Sequence, residues 1–520
     1  MGTLGAKVPM NMQPLLIRAD AGPDIGTGHV MRCLALAQQW RAEGGEVTFL
    51  SRCEVPALRQ RILDEGFAFV STQDAHPHPS DLARTLDEAR KAAWVALDGY
   101  HFAPSYQKAL REAGCRTLVL DDTNHWPEYH ADILLNQNIG AEKTEYACDT
   151  GVTQLKGLRF ALLRREFLEQ AGNVRTIPAR ARRVLVSLGG AAPVEATRRV
   201  LEGLLALDQP ELEVVTVCGM AGAMPGELQH LLGAVPFNAK LLGAAQNMPE
   251  LMAWADVAIV SAGSTCWETA CFGLPTILGI LADNQSPNAC RLHRSGLAVS
   301  LGWWHECAPA AIANSLRAIF ADEEKRRELS SAAKKQVDGQ GAKRIVELMR
   351  ILSGGACHME GNLREAGAED CEGIWRIAND PSVRAHAFSP QTILWDSHCR
   401  WYADKLASED SRLFVLNLGG LVAGFIRYDR AAGDTATISF AVAPAFRKRG
   451  VGSGMIRATW QEAARALRVR RVNAYGKEDN AASHACFQKA GFTLRGWTLI
   501  QGQGALEFER TFSETAQGGR

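Results

Sequence analysis

The stretch IRADAGPDIGTGHVMRCLALAQQW, Ile17 to Trp40, decides the fold. An apolar run passes through a glycine-rich turn into an amphipathic helix expected over 29–42. Glycines alone suffice for such a turn, because they adopt backbone angles that other residues avoid. His29 and Arg32 lie in the first turn of the helix, where turning the chain does not require them, and so mark chemistry.

Followed outward, the same alternation recurs. Short apolar runs (LLIRAD, EVTFLS, AAWVALD, CRTLVLDD, ADILLNQN) are separated by helical patterns, the signature of βαβ units around a parallel sheet. A second series starts near residue 182 with RRVLVSLGG, LEVVTVCG, AKLLGAA, DVAIVSAGS and LPTILGI. Two Rossmann-like domains are expected, over 14–170 and 180–352, joined near 165–180. Small and polar residues in LSGGACHMEGN, 352–362, read as a linker. Beyond it, over 358–512, strands follow one another directly (RLFVLNL, GGLVAGFIRYDR, TATISFAVAP). A long helix from Val451, the strand RRVNAYG and a helix from Asn480 come next, which is an α+β pattern.

The 520 residues exceed a single core, and their composition narrows the function. Lys+Arg 57 against Asp+Glu 57 leaves no net charge to draw nucleic acid or an anionic membrane, so small-molecule chemistry is favoured. The 13 cysteines form no Cys-x-x-Cys pair and often sit in apolar runs, as reduced core thiols do. The start MGTLGAKVPMNMQP lacks the apolar core of a signal peptide, and no apolar run reaches spanning length, so a cytoplasmic location is expected. His76 and His78 in DAHPHPSD read as an exposed Pro-containing turn rather than metal ligands, and no metal is required.

In the third domain, VAPAFRKRGVGSGMIRATW ends a strand and opens a helix. Successive backbone N–H groups at such a start surround a pyrophosphate, and the helix dipole assists. Arg447, Gly450 and Gly452 in Arg-x-x-Gly-x-Gly spacing, the SFAVAP strand before them and the closing NAASHACFQKAGF resemble the GNAT acetyltransferases. The resemblance implies acetyl-CoA as co-substrate, held by Val442, Arg447, Lys448, Arg449, Gly450, Val451, Gly452, Ser453 and Asn480. It also implies a splayed next strand that leaves room for the thioester. Where that family usually carries a tyrosine that protonates the leaving thiolate, this chain has Phe487, which has no proton to donate. Water, Tyr475 or His484 remain to serve, or thiolate protonation does not limit the rate. In SPQTILWDSHCRWYADKL, Trp395, Trp401 and Tyr402 suit either a sugar or uracil ring or a core face.

RADAGPDIGTGHVMRCLALA, followed by VALDGYHF, LLNQN, LVSLGG, SAGSTCWETACFGLP and ADNQ, resembles the UDP-sugar hydrolases of pseudaminic acid biosynthesis over residues 14–350. That resemblance implies a GT-B pair of Rossmann-like domains and a UDP-activated amino sugar as substrate. His29 then activates water, consistent with a helix N-terminus disfavouring a second proton on imidazole. Asp20, at the end of the preceding strand, is expected to orient the ring. Arg32 suits phosphate or a core carboxylate equally. For UDP and sugar, Gly28, Gly189, Gly190, Gly263, Ser264, Thr265, Glu268, Asp283, Asn284 and Gln285 are the expected contacts, with Glu268 at the ribose position. Asp98, Tyr100, His101, Asn136 and Asn138 lie at strand ends, where parallel sheets bind ligands.

Read together, the two resemblances imply consecutive steps in one chain: acetyl-CoA-dependent 4-N-acetylation of a UDP-4-amino sugar, then hydrolysis of UDP-2,4-diacetamido-2,4,6-trideoxy-β-L-altropyranose. The alternatives are a GT-B glycosyltransferase or a nucleotide-sugar binding module, fused to a protein or amine N-acetyltransferase.

Overall fold

The structure is a computed structural model that describes residues 13–512, except 23–24, 75–76, 173–174, 190–191, 219–225, 234, 244–246 and 356. The chain divides into two compact units, Met1–Val346 and Glu347–Arg520. This division falls within the helix Gly341–Leu352, just before the expected linker. The glycines there end the helix instead: Gly354 takes φ +98° and the Gly355 N–H closes on the Arg350 carbonyl at 3.0 Å.

The first unit holds two parallel sheets. In one, the strands starting at Ala68, Val47, Leu15, Trp94, Arg116, Ile133 and Thr153 lie side by side in that order. In the other the order is Asn238, Glu213, Arg183, Val257, Thr276, Val299. The strand runs anticipated from sequence are all present. The additional members Ala68–Ser71, Thr153–Lys156 and Val299–Trp303 are all outermost strands. Helices cover both faces of these sheets, and the segment through Leu158, Leu163 and Phe167 packs into the core of the second sheet, joining the halves. Parallel pairing sets Ala19 opposite Asp98, so the carboxyl ends of the central strands open together where the helix Gly28–Ala42 begins.

The second unit is a mixed sheet in the order Leu363, Ser411, Leu421, Thr435, Arg471, Gln503, Thr493. Its one parallel pair joins Thr435–Ile438 to Arg471–Ala474. From there the strands part: Ser439–Val442 stays paired with the strand Leu421–Arg430, and Tyr475–Lys477 with the strand Gln503–Thr511. A wedge therefore opens in mid-sheet, directly before the helix Val451–Ala466.

Gly279 links packing to the site in the first unit. Its carbonyl accepts the Ala262 N–H at 3.0 Å, fixing the turn after Ser261, and a Cβ there would intrude on the Trp304 indole. Gly279→Ala is expected to destabilise the unit by about 1–3 kcal/mol through overpacking, read as a lower urea midpoint; an unchanged midpoint would show that Trp304 gives way freely.

Candidate functional site

The two halves of the first unit enclose a cleft of about 530 Å³. From the first half it is bordered by Gly28, His29, Arg32, Tyr100, Asp122, Asn138 and Arg164. From the second it is bordered by Gly189, Gly263, Ser264, Thr265, Glu268, Asn284, Gln285 and Asn288. Twelve of the expected residues thus share one cavity. Asp283 does not border it, Asp20 lies beneath it, and Gly190, like His76, falls outside the described residues.

The glycines of the opening turn form its rim. Gly22 and Gly26 exchange backbone hydrogen bonds, and Gly26 takes φ +76°. Three residues apart on one helix face, His29 and Arg32 both reach the fully buried Asp98. Arg32 donates from Nε to Asp98 Oδ2 and from Nη2 to Oδ1, each at 2.6 Å, and from Nη1 to Asp122 at 2.6 Å. His29 Nδ1 lies 2.7 Å from Asp98 Oδ1. Burial opposes the charge on Asp98, but Arg32 and then His29 hold its carboxyl well below the usual carboxylate range. An ionised carboxylate only accepts, so Nδ1 carries a proton, and the tautomer this selects has its lone pair on Nε2. Tyr100 packs edge-on against this ring at 5.0 Å and donates to Asp122 at 3.0 Å.

The expected role of Asp20 is corrected. Its carboxylate is enclosed by Arg18, the Arg52 N–H at 2.8 Å and His101 Nε2 at 3.2 Å, leaving Asp98 as the group that orients His29. The physical reason is direction: Asp20 turns toward the buried Arg18, which also pairs with Asp81 at 2.7 Å, while Asp98 ends the adjacent strand directly under the helix. Arg32 likewise serves core carboxylates. Asn136 belongs to a structural network with Tyr146 and Asp121, whereas Asn138 bonds Asp122 and receives Asn288 from the other half at 3.2 Å.

In the second half, the amides of Gly263, Ser264 and Thr265 precede the first helical donors, Cys266 and Trp267, and border the cleft. Glu268 is paired across the cleft with Arg164 at 2.9 Å. Burial raises its carboxyl and Arg164 opposes the rise. Asn284 donates to Tyr100 at 3.3 Å, a further bond between halves, and Gln285 receives the Leu281 N–H at 3.0 Å. Sequence reading missed Asp122, Arg164 and Asn288. The doubled Asp after the strand Arg116–Leu120 was the available signal for the first; nothing local marked the other two.

In the second unit, Gly450 caps the helix Val451–Ala466 with φ +77°, and the amides before Gly454 precede the first helical donor. Gly452 is dictated by packing, since a Cβ would lie 2.9 Å from Phe440. Lys448 takes φ +59° in this loop. The expected cofactor contacts Arg447 and Arg449 are committed to the protein: Arg447 to the Val442 carbonyl, Ser382 and Asp380, and Arg449 to the Ile351, Leu352 and Ala445 carbonyls. They shape the loop. Asn480 caps the helix Ala481–Lys489 by accepting the Ser483 N–H at 3.2 Å. Phe487 is buried among Phe440, Phe492 and Phe508. Tyr402 is buried and donates to the Gly367 carbonyl at 2.6 Å, Trp401 lies under Arg427, and Trp395 is exposed. Among the described residues no group of three or more His, Cys, Asp or Glu is placed to hold a metal, and no helix is long and apolar enough to cross a membrane.

Residues 184–347 match the glycosyltransferase family 28 C-terminal domain, and residues 362–493 the acetyltransferase (GNAT) domain. An uncharacterized protein of Methanocaldococcus jannaschii is 26% identical over 53% of this chain, which spans 57% of that relative's length. The UDP-2,4-diacetamido-2,4,6-trideoxy-beta-L-altropyranose hydrolase of Campylobacter jejuni is 24% identical over 55% of this chain and 98% of its own. The UDP-N-acetylglucosamine–N-acetylmuramyl-(pentapeptide) pyrophosphoryl-undecaprenol N-acetylglucosamine transferase of Methylococcus capsulatus is 30% identical over 59% of this chain and 90% of its own. The chain belongs to the GT-B nucleotide-sugar family. Its second unit is a GNAT acetyltransferase domain. Beneath the cleft of this GT-B pair, the buried ion pairs hold the first half in shape.

Those pairs give a pH signature. Burial opposes the charge of Asp20, but His101 and Arg18 bring its carboxyl down to about 2, against about 3.9 in an unfolded chain. A lowered carboxyl stabilises the fold above its unfolded value, and this contribution is lost as pH falls through the folded one. Asp20→Asn is expected to destabilise the first unit by about 2 kcal/mol near neutrality and by much less near pH ~2, measured by urea unfolding across pH; an equal loss at both ends would contradict this.

Proposed function

We propose that the GT-B pair hydrolyses the glycosyl bond of a UDP-activated amino sugar, UDP-2,4-diacetamido-2,4,6-trideoxy-β-L-altropyranose, and that the GNAT domain makes that substrate by acetyl-CoA-dependent 4-N-acetylation of its 4-amino precursor. The observation that carries the first part is the His29–Asp98 pair on one wall of a cleft whose other wall carries Gly263, Ser264 and Thr265 at the start of a helix. Asp98 fixes the proton on Nδ1, so Nε2 takes a proton from water as that water attacks the anomeric carbon. The C–O bond to the β-phosphate breaks, and UDP leaves with charge that the amides of Gly263, Ser264 and Thr265 stabilise. Glu268, freed from Arg164, suits the ribose hydroxyls, and Tyr100 and Asn284 border the sugar. The likeness to the altropyranose hydrolase supports this choice of substrate.

Acetyl-CoA suits the second unit as co-substrate. Loop amides at the start of the helix Val451–Ala466 receive its pyrophosphate, with Val442 bordering the wedge into which the thioester extends. A second reading, a glycosyltransferase, is favoured by the 30% identical transferase and requires an acceptor other than water.

UDP release from the 4-amino sugar, with and without acetyl-CoA, tests the proposal. Release that requires acetyl-CoA, and that falls by about 100-fold or more in His29→Ala while free thiol still appears, is the expected result. UDP release only when a sugar or lipid acceptor is added would favour the transferase. Asp98→Asn is expected to lower the same rate by about 100-fold or more by losing the tautomer; a rate equal to wild type would remove His29 from the mechanism.

A further inference from the structure

The burial of Phe487 leaves the acetyl transfer without its usual proton donor, and the opposite face of the sheet supplies another. The strand Arg471–Lys477 alternates. Val472, Ala474 and Gly476 face the side of the helix Ala481–Lys489, which carries Phe487 and His484, and the His484 Nε2 is buried without a partner among the described residues. Asn473, Tyr475 and Lys477 face the other side. Tyr475 is the first residue beyond the last rung shared with the strand Thr435–Val442, so it stands where the wedge opens. Directly across from it, on the strand Gln503–Thr511, is Glu507.

Tyr475 donates its hydroxyl to Glu507 Oε1 at 3.1 Å, and Asn473 Nδ2 donates to the same oxygen at 3.2 Å. Among the described residues these neutral donors are the partners of this carboxylate. The charged groups nearby on this face are engaged elsewhere: Lys477 with the Ala385 carbonyl, Glu509 with Arg495, Arg427 with Asp429. A half-buried carboxylate with neutral donors on one oxygen and no cation has the chemistry to receive an ammonium. Burial, and after the opposing Asn473 amide the Glu507 carboxylate, raise the Tyr475 phenol above its ordinary value, so it keeps a proton to give.

We propose that Glu507 and Tyr475 form the acceptor-amine end of the acetyl-transfer site and relay the proton from the amine nitrogen to the leaving sulfur. This rests on the reading of the second unit as an amine acetyltransferase. The acceptor arrives as an ammonium drawn by Glu507 and gives one proton to water on entry. The neutral nitrogen attacks the thioester carbonyl, forming the C–N bond. As the C–S bond breaks, nitrogen passes its remaining excess proton to Glu507, Tyr475 gives its phenolic proton to sulfur, and Glu507 restores it to Tyr475. One proton moves from nitrogen to sulfur, and both side chains end as they began.

The test is thiol release from acetyl-CoA by the full chain with two acceptors, the UDP-4-amino sugar and ethylamine. Glu507→Gln keeps the size and the oxygen that Tyr475 and Asn473 address, so a merely structural role survives it. The expected result is a fall in kcat of about 100-fold or more, with the KM for acetyl-CoA unchanged, partial rescue by Glu507→Asp, and a comparable fall in Tyr475→Phe. Rates within about threefold of wild type in Glu507→Gln, or a loss confined to the KM for acetyl-CoA, would overturn the inference. Wild-type transfer to ethylamine but not to the sugar would sink the choice of sugar alone, with the variants still deciding on ethylamine. No amine-dependent thiol release from either acceptor would overturn both.

Discussion

A single buried carboxylate organises the cleft. Asp98 has no exposure to solvent, and its two oxygens are divided between the Arg32 guanidinium and the His29 ring. Removing water from such a charge is tolerable only when cations and donors surround it, and Arg32 bridges it to a second carboxylate, Asp122. The strand bearing Asp98, the helix bearing His29 and Arg32, and the Asp122 segment, to which Tyr100 and Asn138 donate, are thereby locked together. The geometry that on the proposed reading makes His29 a base is the same geometry that offsets the cost of burying these charges. Stability and reactivity share one set of bonds.

On the proposed reading, the two units meet the same problem, a phosphate-bearing anion, with related means. There, the amides at Gly263–Thr265 take the charge of the departing UDP, and the loop amides around Gly450 receive the pyrophosphate of the acetyl donor. In neither place do the neighbouring arginines supply the charge directly. Arg32 and Arg164 are paired with carboxylates, and Arg447 and Arg449 hold the loop by its carbonyls. Backbone dipoles fixed by arginine-built scaffolds bind anions without the reorganisation that mobile side chains would require.

Much of this was legible in the sequence. The βαβ alternation, the doubling of the pattern and the α+β third part followed from period and punctuation, and twelve cleft residues were placed from their motifs and strand ends. The edge strands Ala68–Ser71, Thr153–Lys156 and Val299–Trp303 escaped because a strand with one neighbour needs little apolar content. The partner of His29 escaped for a different reason. Asp20 is close in sequence and Asp98 is distant, and only the parallel register Ala19 to Asp98 brings the second under the helix. Arg164 and Asn288 bridge the halves through tertiary packing, which no local pattern encodes. The pairing of Tyr475 with Glu507 likewise depends on strand order: the chain's last strand inserts before its predecessor and sets Glu507 beside the wedge.

The most direct test of a water-activating His29–Asp98 pair is hydrolysis of the UDP-diacetamido sugar in water enriched in heavy oxygen, followed by mass spectrometry of both products. The account predicts the label in the released sugar and none in UDP, because water attacks the anomeric carbon. Label in the β-phosphate of UDP, or no hydrolysis until another acceptor is added, would contradict it.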